Sequence, residues 1–257
     1  MPGRSRAFAA LTGPVELANS PGPVKNSANM NLLRRLPEAP VTSGLILANL
    51  LVFGLMVAAS GHFPLAQGFG GEVLYGAGAT IDEPSWRWVT AAFIHVNVLH
   101  IFMNMWVLAQ IGVLAERAVG RGLFLAAYVV TGAAGNLLGT ILALARHQPH
   151  ISAGASGAIM GLFGVATVFA WRTGQREIAR LLGKNVLFVL VIGFAVTAGG
   201  AIAVDNAAHI GGLVAGALIG AARVRWPHPV SRRTDAILIG ASLAVVAVAF
   251  VVVRLGA

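Results

Sequence analysis

The sequence predicts an all-α membrane protein with seven transmembrane helices. Hydrophobic residues make up 57% of the 257 residues and charged residues only 11%, and the mean hydropathy is +0.79, so lipid surrounds most of the chain. Uncharged runs of about 20 residues, the length that crosses a bilayer as a helix, recur along it. The sequence lacks the short alternating segments typical of a membrane β-barrel, so the backbone must satisfy its hydrogen bonds in helices.

The chain starts with a segment that holds six of the eleven prolines, and we interpret residues 1–42 as a flexible cytoplasmic tail. Residues 43–223 are predicted to form a six-helix core, and residues 224–257 a cytoplasmic linker with an additional seventh helix. The predicted transmembrane spans are 43–61, 91–114, 122–145, 156–171, 185–203, 207–222 and 236–253.

Fifteen of the 18 lysines and arginines lie in the tail and in alternate loops. Because cytoplasmic loops collect positive residues, the N-terminus is predicted to be cytoplasmic and the C-terminus outside. The net charge of +9 then reflects membrane topology, and we predict no nucleic-acid partner. The absence of cysteine excludes thiolate catalysis and cysteine-ligated metals.

Polar side chains inside the apolar runs are functional candidates, because their burial in lipid is costly. These residues are His95, His100, Asn104 and Gln110 in the second run, Asn136 in the third, Ser156 at the start of the fourth and His209 near the start of the sixth. Four of them, His95, His100, Ser156 and His209, fall in the outer part of the membrane, because the second, fourth and sixth runs all start on the outer side.

Ser156 lies between Gly154 and Gly157, and these glycines allow a tight turn that leaves the hydroxyl accessible. The fourth run is roughly 24 Å long, shorter than a full crossing, so its start is predicted to lie below the outer surface. A helix N-terminus also presents unpaired N–H groups that suit an oxyanion. The alternative is that Ser156 is one more small residue at a helix contact.

Glycines recur every four residues on the sixth run at Gly212, Gly216 and Gly220, and on the fourth at Gly157 and Gly161. Such spacing allows very close helix approach, which would bring His209 to Ser156. Histidine is the usual base for a serine hydroxyl near neutral pH. A satisfied interior histidine is the alternative for His209.

His100 and Asn104 are four residues apart and share one helix face. Together with the backbone N–H of Ser156 they are candidates to stabilise a negative oxygen, and interhelical hydrogen bonding is the alternative. His95 faces elsewhere and is predicted to hold the outer loop in place. A zinc site formed by His95, His100 and His209 is a further alternative, but no HExxH pair supports it; we predict no metal and no cofactor.

Over about residues 86–220, the sequence resembles the rhomboid family of intramembrane serine proteases. Five motifs carry the resemblance, in order and spacing. They are Trp86-Arg87, His95 with His100 and Asn104, Glu116-Arg117 with Gly120, Gly154-Ala155-Ser156-Gly157, and Ala208-His209-Ile210-Gly211-Gly212 with Gly216.

The resemblance implies a serine endopeptidase that cleaves transmembrane segments of other membrane proteins. It implies Ser156 as the nucleophile and His209 as the base, with an oxyanion site formed by His100, Asn104 and the Ser156 amide. Some bacterial relatives of this family carry a tyrosine that stacks under the catalytic histidine where this chain has Met160, and a flexible methionine cannot hold an imidazole as rigidly. Structural or substrate-access roles are implied for His95, Trp86, Arg87, Gly154, Gly157, Gly212 and Gly216.

The expected partners are transmembrane protein substrates and the lipid bilayer. A composition rich in Ala, Gly and Arg with a short tail favours a bacterial inner membrane. Two other functions share the predicted fold class. One is a catalytically silent rhomboid-like protein that binds transmembrane clients, and the other is a transporter, although no inverted repeat is visible.

Overall fold

A computed structural model describes residues 35–61, 63–64, 79–80, 86–148, 150–199, 204–226 and 230–255. Most of the predicted tail, residues 1–34, lies outside them. The seven long helices are α1 (Pro40–Ser60), α2 (Val98–Val119), α3 (Arg121–Ala145), α4 (Ser156–Arg172), α5 (Arg176–Ala198), α6 (Asn206–Arg225) and α7 (Arg232–Leu255). The shorter elements are 3-10 turns at Leu36–Glu38 and Ala91–Phe93, a helical turn at Arg87–Thr90, and the antiparallel strands β1 (Ala79–Thr80) and β2 (Ile151–Ser152).

The long helices form a multi-pass membrane protein. Among the described residues, all of them except α4 are long and apolar enough to cross a membrane. Their outward faces carry large apolar side chains, such as Leu187 and Phe188 on α5, which are 61% and 66% exposed and therefore face lipid. The α4 helix has only 17 residues, as its short apolar run predicts.

Two predicted helix starts are wrong. The second helix begins at Val98 instead of residue 91, because Asn97 caps it by accepting the N–H of His100 at 2.8 Å. His95 therefore lies before the helix that was predicted to contain it. The fifth helix begins at Arg176 instead of residue 185, because its charged first turns are helical too, and hydropathy detects only the part that faces lipid.

The α4 helix lies at the centre of the molecule and contacts α2, α3, α5 and α6. All of its residues from Gly157 to Ala166 are buried, including Leu162 and Val165, which have no exposed surface. The helix that begins with Ser156 is therefore surrounded by protein over its first half.

The contact between α4 and α6 is a backbone contact. A Cβ atom on Gly212 would overlap the carbonyl group of Gly157, and one on Gly216 would overlap that of Gly161. The four-residue glycine spacing predicts this close approach, which is confirmed here. Only glycine lets the two helices meet at this distance.

Glu116, in the motif at the end of α2, joins that helix to the start of α1. Its carboxylate accepts hydrogen bonds from the N–H groups of Val41 and Thr42, at 3.2 and 2.8 Å, and from the Thr42 hydroxyl at 2.8 Å. These donors belong to the first turn of α1, where a helix has no internal acceptors. Gly120, with φ +92°, then allows the chain to turn directly into α3.

We expect Glu116→Ala to destabilise the protein by about 3 kcal/mol, because three buried or partly buried donors lose a charged acceptor. Thermal unfolding in detergent measures this loss. The matched control is Glu177→Ala, which removes an exposed carboxylate paired with Arg180 and should have little effect. Equal unfolding temperatures for the two variants would contradict the role of Glu116.

Candidate active site

Ser156 and His209 form a hydrogen-bonded pair between α4 and α6. Ser156 is the first residue of α4, and His209 lies in the first turn of α6. The Nε2 atom of His209 is 2.9 Å from the Oγ atom of Ser156. His209 is only 6% exposed, whereas Ser156 is half-buried. The pair can therefore transfer a proton from the hydroxyl to the imidazole in a site that is largely closed by protein.

The backbone next to His209 packs against two glycines. The carbonyl oxygen of Ala208 would lie 2.5 Å from a Cβ atom on Gly135 of α3 and 3.4 Å from one on Gly157 of α4. The start of α6 is thus wedged between two helices, with little freedom to move away from Ser156. Gly135 is not among the predicted site residues, because in the sequence it is an ordinary small residue in an apolar run.

Asp205 caps α6 and connects it to the segment that leads to Ser156. Its Oδ1 atom accepts the N–H of Ala208 at 2.9 Å, and its Oδ2 atom lies 3.4 Å from Nε2 of His150. Both side chains lie against Gly139, where an added Cβ atom would come within 2.7 and 2.9 Å of them. An aspartate at an N-cap position is the sequence signal that could have identified this role.

The turn before Ser156 needs glycine at position 154. Gly154 has φ +123°, a conformation that side chains rarely adopt, and its N–H donates to the carbonyl oxygen of Ala91 at 2.9 Å. A Cβ atom there would lie 2.6 Å from Cε1 of His100. Both the backbone conformation and the neighbouring imidazole therefore exclude a side chain.

His95 lies just outside α2 and holds the same turn. It is fully buried, and its Nε2 atom accepts the N–H of Ala155 at 3.4 Å. Burial, reinforced by the neighbouring His100, lowers the pKa of His95 to about 3, so the ring is neutral and can accept a hydrogen bond. The structure thus connects His95 with the residue that precedes Ser156.

His100 and Asn104 face this turn from α2. The His100 ring is 5.1 Å from the His95 ring, and its Nδ1 atom is 3.5 Å from the N–H donor of Val96. The side-chain amide of Asn104 donates to the carbonyl oxygen of His100 at 3.0 Å. The two predicted oxyanion residues therefore lie beside the turn that ends at Ser156.

Asn136 joins the helical turn that contains Trp88 to β2. Its Nδ2 atom donates to the carbonyl oxygen of Trp88 at 2.7 Å, and its Oδ1 atom accepts the Ser152 hydroxyl at 2.8 Å. Trp88 lies in the helical turn that contains Arg87 and directly follows Trp86. These two motif residues therefore lie in a segment that α3 fixes close to the turn before Ser156.

The alternative of a zinc site concerns His95, His100 and His209. Within the described part of the chain, no group of three His, Asp or Glu side chains is arranged to hold a metal ion.

Met160 is buried in α4, one turn beyond Ser156, at the position where some bacterial members of the resembling family carry a tyrosine. The Nδ1 atom of His209 is buried without a hydrogen-bond partner among the described residues.

Comparison with known proteins agrees with this architecture. A family model described as "Rhomboid domain" matches residues 82–226, more than half of the chain. The sequence is 33% identical to Rhomboid protease GluP of Bacillus subtilis over 141 residues, covering 53% of this chain but 26% of that protein. It is 32% identical to RHOMBOID-like protein 4 of Arabidopsis thaliana over 149 residues, covering 57% of this chain and 36% of the relative.

A third relative, Rhomboid protease AarA of Providencia stuartii, is 28% identical over 235 residues, which covers 81% of this chain and 80% of that protein. The match with the family model extends from residue 82 to the end of α6, and so includes both partners of the Ser156–His209 hydrogen bond. On this match over most of its predicted core, the chain belongs to the rhomboid family.

Proposed function

We propose that this chain is an intramembrane serine endopeptidase, with Ser156 as the nucleophile and His209 as the general base. The observation that supports this most directly is the 2.9 Å separation between the Ser156 Oγ and His209 Nε2 atoms. A serine hydroxyl is a weak nucleophile until a positioned base accepts its proton. The names of two relatives, Rhomboid protease GluP and Rhomboid protease AarA, support the same class of activity.

The proposed reaction follows acyl transfer. Nε2 of His209 accepts the Ser156 proton while Oγ attacks a peptide carbonyl carbon, which gives a tetrahedral intermediate. The imidazolium then donates that proton to the departing amine, the peptide bond breaks and an acyl-enzyme remains. A water molecule, deprotonated by His209, cleaves the ester and regenerates the hydroxyl.

The negative oxygen of the intermediate requires donors close to Ser156. The N–H of Ser156 is one of the first N–H groups of α4, which have no acceptor within the helix. His100 and Asn104 lie beside the adjoining turn and supply side-chain donors from α2. We therefore propose these three groups as the oxyanion site, and we assign His95 and Gly154 to holding the turn.

The proposed substrates are transmembrane segments of other membrane proteins, cleaved near the outer side. A helical segment must partly unwind there, because its carbonyl groups are otherwise engaged in its own hydrogen bonds. We propose a bacterial inner membrane from the composition rich in Ala, Gly and Arg, and a cytoplasmic N-terminus from the distribution of arginines and lysines. Within the chain we propose a tail (1–42), a protease core (43–223) and an added linker with the seventh helix (224–257).

Labelling by a fluorophosphonate probe tests the nucleophile. We expect the wild-type protein in membranes to be labelled and Ser156→Ala to lose the label completely. The matched control is Ser60→Ala at the end of α1, whose hydroxyl donates to the carbonyl oxygen of Val57, and which should keep full labelling. Label that survives in Ser156→Ala would remove Ser156 as the nucleophile. A wild-type protein that folds but is not labelled would favour a catalytically silent binder of transmembrane clients.

Asn104→Ala tests the oxyanion site. We expect peptide cleavage to slow by about 10²-fold, since loss of one preorganised donor has an effect of this order, while the affinity for substrate changes little. The control is Gln110→Ala, which removes a side-chain amide from the same helix that donates only to the Trp106 carbonyl oxygen in the contacts seen. Separate kcat and KM values for a transmembrane substrate provide the measurement. An equal, small effect of both variants would exclude Asn104 as an oxyanion donor.

A further inference from the structure

A basic cavity lies at the end of the molecule opposite to Ser156. It has a volume of about 310 Å³ and opens between the ends of four helices. Four arginines line it, two from the junction of α2 and α3, one from the last turn of α6 and one from the start of α7, together with a single acidic residue. These residues are Arg117, Arg121, Arg223, Arg232 and Asp235. The positive-inside rule explains why arginines lie on this face, but not why four of them surround one cavity.

The acidic groups near the cavity already have partners. Asp235 accepts the N–H of Gly122 at 2.6 Å, which uses one of its oxygens to cap α3. Glu116, which comes no closer than 3.8 Å to Arg121, is engaged with the first turn of α1. Glu38 pairs with Arg117. Positive charge therefore exceeds negative charge around the cavity, and such clustering costs energy unless an anion neutralises it.

Arg223 provides the second observation. Its Nη1 atom donates to the carbonyl oxygen of Trp226 at 3.2 Å, but its Nε atom is buried without a hydrogen-bond partner among the described residues. A buried guanidinium donor normally has an acceptor. An anion in the cavity would pair with the same guanidinium group, whose planar fork is suited to two oxygens at once.

We propose that this cavity binds a phosphate group, contacted by Arg223 and Arg232, and that the bound phosphate ties α7 to the six-helix core. The cavity lies at the ends of membrane-spanning helices, the depth at which lipid headgroups carry their phosphates. Arg223 ends α6 and Arg232 begins α7. One phosphate between them connects the added helix with the core and neutralises the repulsion between the two guanidinium groups.

The test compares the full-length protein in nanodiscs of phosphatidylcholine alone and of phosphatidylcholine with phosphatidylglycerol. A ligand that binds the folded state raises the unfolding temperature, so phosphatidylglycerol should raise it for the wild type. The Arg223→Gln, Arg232→Gln double variant should lose more than half of that rise. The control is Arg172→Gln with Lys184→Gln, which removes two exposed charges from the same predicted face outside the cavity and should keep the rise.

A second arm distinguishes a lipid headgroup from free phosphate. Inorganic phosphate is added to the neutral nanodiscs, with sodium chloride at the same ionic strength as the reference. If inorganic phosphate raises the unfolding temperature of the wild type, sodium chloride does not, and the double variant shows no such rise, the ligand is a soluble anion. If neither phosphatidylglycerol nor inorganic phosphate stabilises the wild type, or if the control loses as much as the cavity variant, the proposal is wrong.

The variants Arg223→Lys and Arg232→Lys keep the positive charge, and they test the proposal if the glutamine double variant fails to fold. Lysine lacks the guanidinium fork, so these variants should show an intermediate rise. Native mass spectrometry of the wild type in mixed lipid provides a measurement without any substitution, and should show phosphatidylglycerol retained in preference to phosphatidylcholine. Equal retention of the two lipids would contradict the proposal.

Discussion

His209→Ala should slow fluorophosphonate labelling of Ser156 by at least about 10³-fold while leaving the protein folded, because the hydroxyl loses its base. The imidazole is 2.9 Å from the hydroxyl, and no other group is proposed to take its place. The rate of labelling in membranes measures acylation directly and needs no known substrate. Thermal unfolding in parallel separates loss of the base from loss of the fold.

The control for this prediction is His147→Asn, which removes an exposed histidine after α3 on the same side of the molecule. Its φ of +51° is one that asparagine accepts. Labelling by this variant should match the wild type. The wild-type rate should also fall once the pH is low enough to protonate the imidazole, because a protonated imidazole cannot accept the serine proton. Full labelling of His209→Ala would exclude His209 as the base.

The second large effect is expected from Gly216→Leu. A single Cβ atom on Gly216 would already overlap the carbonyl group of Gly161, so a leucine must push α6 away from α4. Overpacking typically costs about 1–3 kcal/mol, and more when backbone atoms block the space. We expect a destabilisation at the upper end of this range, together with loss of labelling, because the same two helices carry Ser156 and His209.

Gly240→Leu is the matched control for Gly216→Leu. Gly240 lies in the membrane-spanning part of α7, and a Cβ atom there would meet nothing within 4 Å. The substitution is the same, but here the leucine enters lipid, so stability and labelling should be unchanged. If both variants unfold alike, the cost belongs to leucine in a helix and not to the contact between α4 and α6.

The sequence predicted most of the membrane architecture, because apolar length and charge asymmetry are properties of short segments. The short fourth helix and its start at Ser156 follow from one apolar run between polar neighbours. The close contact of Gly212 and Gly216 with α4 follows from a four-residue spacing. Helix starts were harder to predict where a cap decided them, as Asn97 does for α2, since a capping bond does not alter hydropathy.

Connections between distant segments were decided by the tertiary structure alone. Asn136 joins Trp88 to Ser152, and Asp205 meets His150 beside Gly139. Each residue reads as ordinary in its own segment, and its role depends on a partner that the fold brings near.

Seven helices, their order and the candidate residues were thus determined by the sequence itself, because the bilayer imposes a length and a polarity on each span. Only the tertiary structure decided that the Ser156 hydroxyl and the His209 imidazole lie within hydrogen-bond distance, and that four arginines surround one cavity on the other face. Both depend on how closely the helices approach and how they are rotated, and these are set by side-chain and glycine contacts between helices distant in sequence.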